Sequence, residues 1–415
     1  MQAILECCCG VDVHKDMIEA CIIQGIENPN FIRQQFLTIP SELQEFVQWL
    51  YENDCYHIAM ESTGVYWKPV YETIEEFSPY YESIIVANAH HMRNLPGRKT
   101  DVKDAEWIAT LLQHGLLEPS FVPERTIRNL REYSRTYKNY ISEKSRCINR
   151  MEKFLQTHGF KLSSVLSDIN NVSGIRILTI LSEKGSLSVD DVKNAISSNT
   201  KCSAEEIQSA ICGRLNVNER FLLSDSLDQL SSLQKRIDKI LAMMATISEP
   251  YKKLLDQLDS IPGIDITAAM LILAEIGPVP QEVFPSSAHL CSWAGLTPGN
   301  NESAGKKKSV RITRAGVYLK PALVEVAHAA VKSTKSPYYK TKYEKIAKRR
   351  GKKRAIIAIA RMILTAIYSM LSTGECWNPV DLFKVDMPAE LREKQDEKAV
   401  KQAIKFLQSK GLAIS

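Results

Sequence analysis

Within the first hundred residues of this 415-residue chain the hydrophobic pattern switches repeatedly between a period of two and a helical period. Alternating or continuous short apolar runs at 4–11, 19–24, 31–38, 57–60 and 83–87 predict strands. Between and after them, 41–52 (with Ser41 as N-cap), 66–76 and 101–114 (ended by Gly115) predict helices. Such switching excludes an all-helical or all-β beginning and predicts an α/β layer.

From residue 126 onward the pattern is helical. A polar helix is predicted over 126–156 and several short helices over 160–220. A heptad follows: Leu223, Leu230, Ile237, Met244, Tyr251 and Leu258 recur every seven residues, with Leu233, Ile240, Ile247 and Leu254 three positions later. This spacing predicts a coiled coil that joins two copies or two domains, interrupted at Pro250; the alternative is an amphipathic helix packed within one subunit. Ile261-Pro262-Gly263-Ile264 precedes an apolar helix at 266–276, a helix-hairpin-helix-like arrangement able to offer backbone amides to phosphate. A helix at 286–294 ends at Gly295, a polar loop spans 296–308, and helices at 315–331 and 352–371 follow. The expected class is α/β plus all-α. Its domains are an α/β domain at 1–125, a helical linker and coiled coil at 126–258, a helical domain at 259–375 and a helical tail at 376–415.

Charge is concentrated. Lys plus Arg number 53 against 48 acids overall, but residues 306–354 hold 17 Lys or Arg and only Glu325 and Glu344 as acids, leaving the remainder net acidic. That asymmetry points to one basic surface for a polyanion. The ten cysteines show no C-x-x-C spacing, which argues against a zinc site. Cys7, Cys8 and Cys9 alternate across a strand and cannot converge as ligands. No signal peptide is visible, so reduced thiols in the cytoplasm are expected. The longest apolar segment, 355–371, contains Arg361 and reads as a core helix rather than a membrane span.

Asp12 and Glu61 stand at the ends of predicted strands, and Asp101 and Asp104 share one face of a helix start at i and i+3. Acids so placed can meet at one sheet edge and hold hard cations through oxygen ligands. Two such ions clamp the attacking and leaving oxygens of a phosphodiester during in-line displacement. Arg98 and Lys99 lie beside these acids and can approach a phosphate. Ser303 lies in the polar loop ahead of Lys306, Lys307 and Lys308, and by composition alone it is one loop serine among several. No Ser-His-Asp arrangement is legible, and His14, His90, His91, His289 and His328 read as structural or surface residues.

Several motifs occur in order: Gly10-Val11-Asp12-Val13-His14-Lys15, Glu61-Ser62-Thr63-Gly64-Val65-Tyr66-Trp67 and Lys99-Thr100-Asp101-Val102-Lys103-Asp104-Ala105, then Ile261-Pro262-Gly263-Ile264, the 290–298 segment, Asn301-Glu302-Ser303-Ala304-Gly305 and Arg349-Arg350-Gly351-Lys352-Lys353. In this order the chain resembles, over about residues 5–375, the DEDD transposases of the IS-one-ten insertion sequences, also called bridge-RNA-guided recombinases. The resemblance implies an RNase H-like (RuvC-like) first domain, a coiled coil and a C-terminal transposase domain. Asp12, Glu61, Asp101 and Asp104 would bind magnesium, and Ser303 would attack DNA and hold a phosphoserine during strand exchange. Acids and serine would come from different subunits of dimers that pair into tetramers. A structured RNA would pair with donor and target DNA, in the cytoplasm at the nucleoid. Ala304 separates Ser303 from Gly305, and Ser309 is the alternative nucleophile. Lys306, Lys307, Lys308, Arg311, Arg314, Arg349, Arg350, Lys352 and Lys353 are the expected nucleic-acid contacts.

Other readings stay open from the residues. One is a metal-dependent RNase H-like nuclease or Holliday-junction resolvase in which activated water replaces the serine. Another is a non-catalytic nucleic-acid binder. An actin-like nucleotide-binding fold would need glycine-rich loops that are not found.

Overall fold

The computed structural model describes residues 3–62, 64–77, 81–88, 92, 104–298, 301–303, 306–309, 311–334, 336–379 and 397, with backbone alone for 301–303 and 306–309. The chain divides into two compact units, Met1–Pro123 and Glu124–Ser415.

The first unit is built on a five-stranded sheet of order β3-β2-β1-β4-β5. β1 (Cys7–Val13), β2 (Met17–Gln24) and β3 (Asn30–Leu37) are antiparallel neighbours, whereas β4 (His57–Glu61) and β5 (Ser83–Ala87) run parallel to β1. All five lie within a few residues of their predicted places. β1 is central and buried on both faces, and its cysteines serve alternately: Cys9 packs among residues of the α1 (Pro40–Glu52) and α2 (Trp67–Glu76) face, Cys8 against the Asp104–Gln113 helix on the other. α1 begins differently from expectation. Ile39 is its N-cap, without a side-chain cap, and Pro40 occupies the first helical turn; proline's fixed φ starts the helix before Ser41 is reached.

In the second unit the helices Arg125–Thr157 and Val217–Ser248 lie side by side. Lys144 donates to Gln234 at 2.6 Å and Arg150 to Gln229 at 2.9 Å, so the two run antiparallel. Between them the chain folds three short helices, Val172–Lys184, Val189–Ala195 and Ala204–Ala210, whose apolar residues share one core with Met151, Leu155, Leu223 and Leu230. Leu223, Leu230 and Leu233 of the heptad therefore pack against this chain's own side chains, the arrangement of an amphipathic helix within one subunit. The heptad helix is also interrupted. The Val217–Ser248 helix gives way to a 3-10 turn, Glu249–Tyr251, and beyond it Leu255 is buried in place of Leu254 while Leu258 stays buried at its heptad position. Pro250 lacks the N–H that would continue the ladder, so the helix breaks there.

The remaining helices form a bundle. Lys252–Asp259 and Ile266–Ile276 flank the Pro-Gly-Ile turn; Leu319–Lys332, Tyr338–Arg350 and Lys352–Thr373 pack together. The Tyr338–Arg350 helix was not legible in sequence, because only Tyr338 and Tyr339 are buried on it. The segments Ile266–Val283, which the break after Ile276 divides, and Lys352–Thr373 satisfy the length and hydropathy of a membrane crossing. The second buries Ala355, Ile359, Ala360, Ile363, Leu364 and Ile367 within this unit. Most of the expected helical tail lies outside the described residues, though Trp377 packs at 5.5 Å between ring centroids on Tyr338.

Candidate active site

The acid edge is set by register. Asp12 pairs across the antiparallel ladder with Glu19, and Val11 pairs in parallel with Met60, which puts Glu61 beside Asp12 one step on. Alternation gives Asp12, Glu19 and Glu61 the face opposite the α1/α2 core, the face covered by the Asp104–Gln113 helix. Asp104 stands in the first turn of that helix, where acids favour the helix dipole. The close approach depends on Gly10, two residues before Asp12 and on the same face. Burial pushes the Asp12 carboxyl above its usual value; the nearby His14 opposes this, and the charges of Asp104, Glu61 and Glu19 add to the rise.

His14 and Glu19 are site neighbours that sequence reasoning passed over. His14 Nε2 lies 3.2 Å from Asp12 Oδ2. Glu19 accepts from Gln35 Nε2 at 2.9 Å. A signal for Glu19 existed: the His14 N–H bonds the Met17 carbonyl and closes a tight turn at Lys15-Asp16, so folding the sequence about that turn puts residue 19 opposite residue 12. Asp101, Arg98 and Lys99 lie outside the described residues. Among the described residues no group of three His, Cys, Asp or Glu side chains is placed to hold a metal ion. The donor set is nonetheless carboxylate oxygen throughout, which suits a hard divalent cation and would relieve the repulsion felt at Asp12.

Ser303 belongs to a strand rather than to an open loop. β6 (Asn301–Ser303) and β7 (Lys306–Ser309) form a hairpin in which Ser303 pairs with Lys306 and Asn301 with Ser309. Polar residues concealed this ribbon, since neither strand carries the apolar alternation that marks a half-buried sheet. Its base is closed by a bridge between Pro298 and Ile312 and by two glycine turns pressed together. A Cβ on Gly295 would fall 2.5 Å from the Ala315 carbonyl oxygen, and one on Gly316 would fall 2.2 Å from that of Ala294.

Arg311 and Arg314 are exposed beyond the hairpin. Arg349 and Arg350 end the Tyr338–Arg350 helix, Lys352 and Lys353 begin the next, and all four are exposed around Gly351. Lys340, Lys345 and Lys348 extend this exposed basic surface. The Pro-Gly-Ile turn, by contrast, serves packing: a Cβ on Gly263 would lie 2.4 Å from the Ala330 nitrogen. The helix after it is capped by Asp265, whose carboxylate accepts from the Ala268 N–H at 2.7 Å. A carboxylate there competes with a phosphate for the same helix end.

A family model for the DEDD transposases of IS110 matches residues 9–159, and the model described as Transposase IS116/IS110/IS902 family matches residues 255–344. Together they take in more than half of the sequence, in the same order. The chain belongs to the IS110 family of transposases. The IS110-family chain is 31% identical over 120 residues, 28% of each chain, to an uncharacterised 43.6 kDa protein of insertion element IS110 from Streptomyces coelicolor. It is 25% identical over 157 residues, 37% of this chain, to the putative transposase y4pF/y4sB of Sinorhizobium fredii. It spans 28% and 39% of the length of these two relatives. The first matched segment of the chain contains Asp12, Glu61, Asp101 and Asp104, and the second contains Ser303.

Proposed function

We propose that this chain is a DNA transposase that cuts and rejoins DNA through a phosphoserine, with an RNase H-like acidic site and a structured guide RNA. The observation that carries the reading is the ordered pair of family matches, one over the acid edge and one over the serine hairpin. The strand order β3-β2-β1-β4-β5, three antiparallel strands followed by two parallel ones, supports the RNase H-like assignment.

In this reading Asp12, Glu61, Asp104 and Asp101 hold magnesium, which supplies positive charge against the developing charge on the phosphate. Ser303 is the nucleophile: its oxygen bonds to phosphorus, the sugar oxygen departs and takes up a proton, and the ester energy is kept in a protein–DNA link. Reversal by the hydroxyl of another strand rejoins DNA without ATP. Lys306, Lys307, Lys308, Arg311 and Arg314 neutralise backbone charge near the hairpin, as do Arg98 and Lys99 near the acids. Arg349, Arg350, Lys352 and Lys353 track a longer stretch of nucleic acid. Acids of one copy act with the serine of another, in dimers that pair into tetramers, in the cytoplasm at the nucleoid. The guide RNA and the tetramer are inherited from the family resemblance.

The test is denaturing electrophoresis of protein incubated with magnesium, the element's RNA and labelled DNA. Protein-linked DNA is expected from the unaltered chain and not from Ser303→Ala or Asp12→Asn. Cleavage without any protein-linked DNA would replace this reading with a hydrolytic nuclease, and loss of the link in Ser309→Ala alone would move the nucleophile to Ser309.

A further inference from the structure

We propose that Lys320 is the positioning residue of the Ser303 hairpin, locking the base of its returning strand to the bundle; this rests on Ser303 being the nucleophile. Lys320 lies in the first turn of the Leu319–Lys332 helix. Its Nζ donates to the Thr313 carbonyl at 2.8 Å and to the Ala315 carbonyl at 2.7 Å. Both carbonyls belong to the short segment between β7 and the helix. The amine sits where a side chain at residue 295 would have to go, since a Cβ on Gly295 would fall 2.9 Å from Lys320 Nζ. Gly295 has φ +67 and Gly316 φ +66, the left-handed region that glycine adopts without strain. The entering turn, the leaving turn and the ammonium group thus form one closed contact.

The anchor behind Lys320 is rigid. Leu319, Ala322 and Leu323 are buried in the bundle. Tyr318, next to Leu319, lies under the Arg135 guanidinium at 4.1 Å, and Arg135 is itself held by two bonds to the Glu275 carboxylate at 3.1 and 3.2 Å. A two-stranded ribbon has little stability of its own in water. Beyond its own ladder, the Ser303 ribbon is joined again at its base by the bridge between Pro298 and Ile312. Two charge-assisted bonds from a lysine fixed to the bundle convert that ribbon into an arm with a set direction. Reaction rate depends steeply on such placement, because in-line attack tolerates little error in the position of the oxygen.

The test compares Lys320→Met and Lys320→Arg with the unaltered chain in single-turnover formation of protein-linked DNA, at saturating and limiting DNA. Lys320→Met should lower the saturated rate about ten- to a hundredfold while the half-saturating DNA concentration and the melting temperature stay unchanged. Lys320→Arg, which keeps donors for both carbonyls, should recover most of the rate. Hydrogen exchange of the 306–312 amides should quicken in Lys320→Met and return to normal in Lys320→Arg. A Lys320→Met protein that is folded and forms the link at the normal rate, while Ser303→Ala forms none, overturns the positioning role and leaves the serine reading standing. Ser303→Ala that still forms the link overturns the serine reading itself. Should Lys320→Met not fold, an unrecovered rate in well-folded Lys320→Arg with normal hydrogen exchange overturns the proposal.

Discussion

Gly10 and Ala109 meet backbone to backbone: a Cβ on residue 10 would fall 2.2 Å from the Ala109 nitrogen, and 2.3 Å from the Ala105 carbonyl oxygen. This contact lets the Asp104–Gln113 helix lie against β1 and sets how near Asp104 comes to Asp12. Gly10→Ala must push helix from sheet, and overpacking of this kind costs about 1–3 kcal/mol. Its denaturation midpoint should fall accordingly, and formation of protein-linked DNA should fall with it. An unchanged midpoint would show that the helix has room to spare.

Glu275 is the acid on which two guanidinium groups of one helix depend. Arg135 grips its carboxylate with two bonds. Arg131 donates to the backbone carbonyls of Ala274 and Glu275, both at 2.9 Å, closing the end of the Ile266–Ile276 helix. Burial pulls the Arg131 pKa down to about 10, with Glu275 holding it up. Glu275→Ala removes the buried carboxylate that Arg135 grips, and its cost in urea denaturation should be about 3 kcal/mol. Replacing Glu275 and Arg135 together by apolar residues should recover part of that loss.

Asp191 gives a pH dependence with a defined sign. Lys184 and the capping box with Ser188 hold its carboxyl down to about 2, below the ordinary 3.8. A carboxylate depressed in the folded state adds stability that is complete above the unfolded value and is lost as pH falls through the folded one. The stability gap between the unaltered chain and Asp191→Asn should therefore be largest at neutral pH, and should close between about pH 4 and 2. A gap of constant size across that interval would exclude the ion pair and cap as its source.

The exposed cations around Gly351 should read out as salt dependence. Changing Arg349, Arg350, Lys352 and Lys353 to Gln removes up to four phosphate contacts. The slope of log affinity against log salt for duplex DNA should then shrink by about 3 to 4. Affinity should fall alike for all DNA sequences, because phosphate contacts carry no base information. An unaltered slope would place the nucleic acid elsewhere.

What the sequence determined alone was local and periodic. Alternation marked the strands, so β5 at Ser83–Ala87 and the helix at Ile266–Ile276 stand where the pattern put them. It also marked Asp12 and Glu61 at strand ends, because a polar residue closing a buried run is visible in one dimension. Partners distant in sequence were decided by the tertiary structure. The heptad at Leu223 and Leu230 is the same whether it meets another copy or the Arg125–Thr157 helix, and only packing shows that it meets the latter. Glu19 became a neighbour of Asp12 through strand register, and Lys320 became a hairpin anchor through two bonds to backbone carbonyls that carry no side-chain signature. Periodicity records which face of an element avoids water. It does not record what covers that face, nor where a lone ammonium group finds its acceptors, since those depend on three-dimensional closure of the chain.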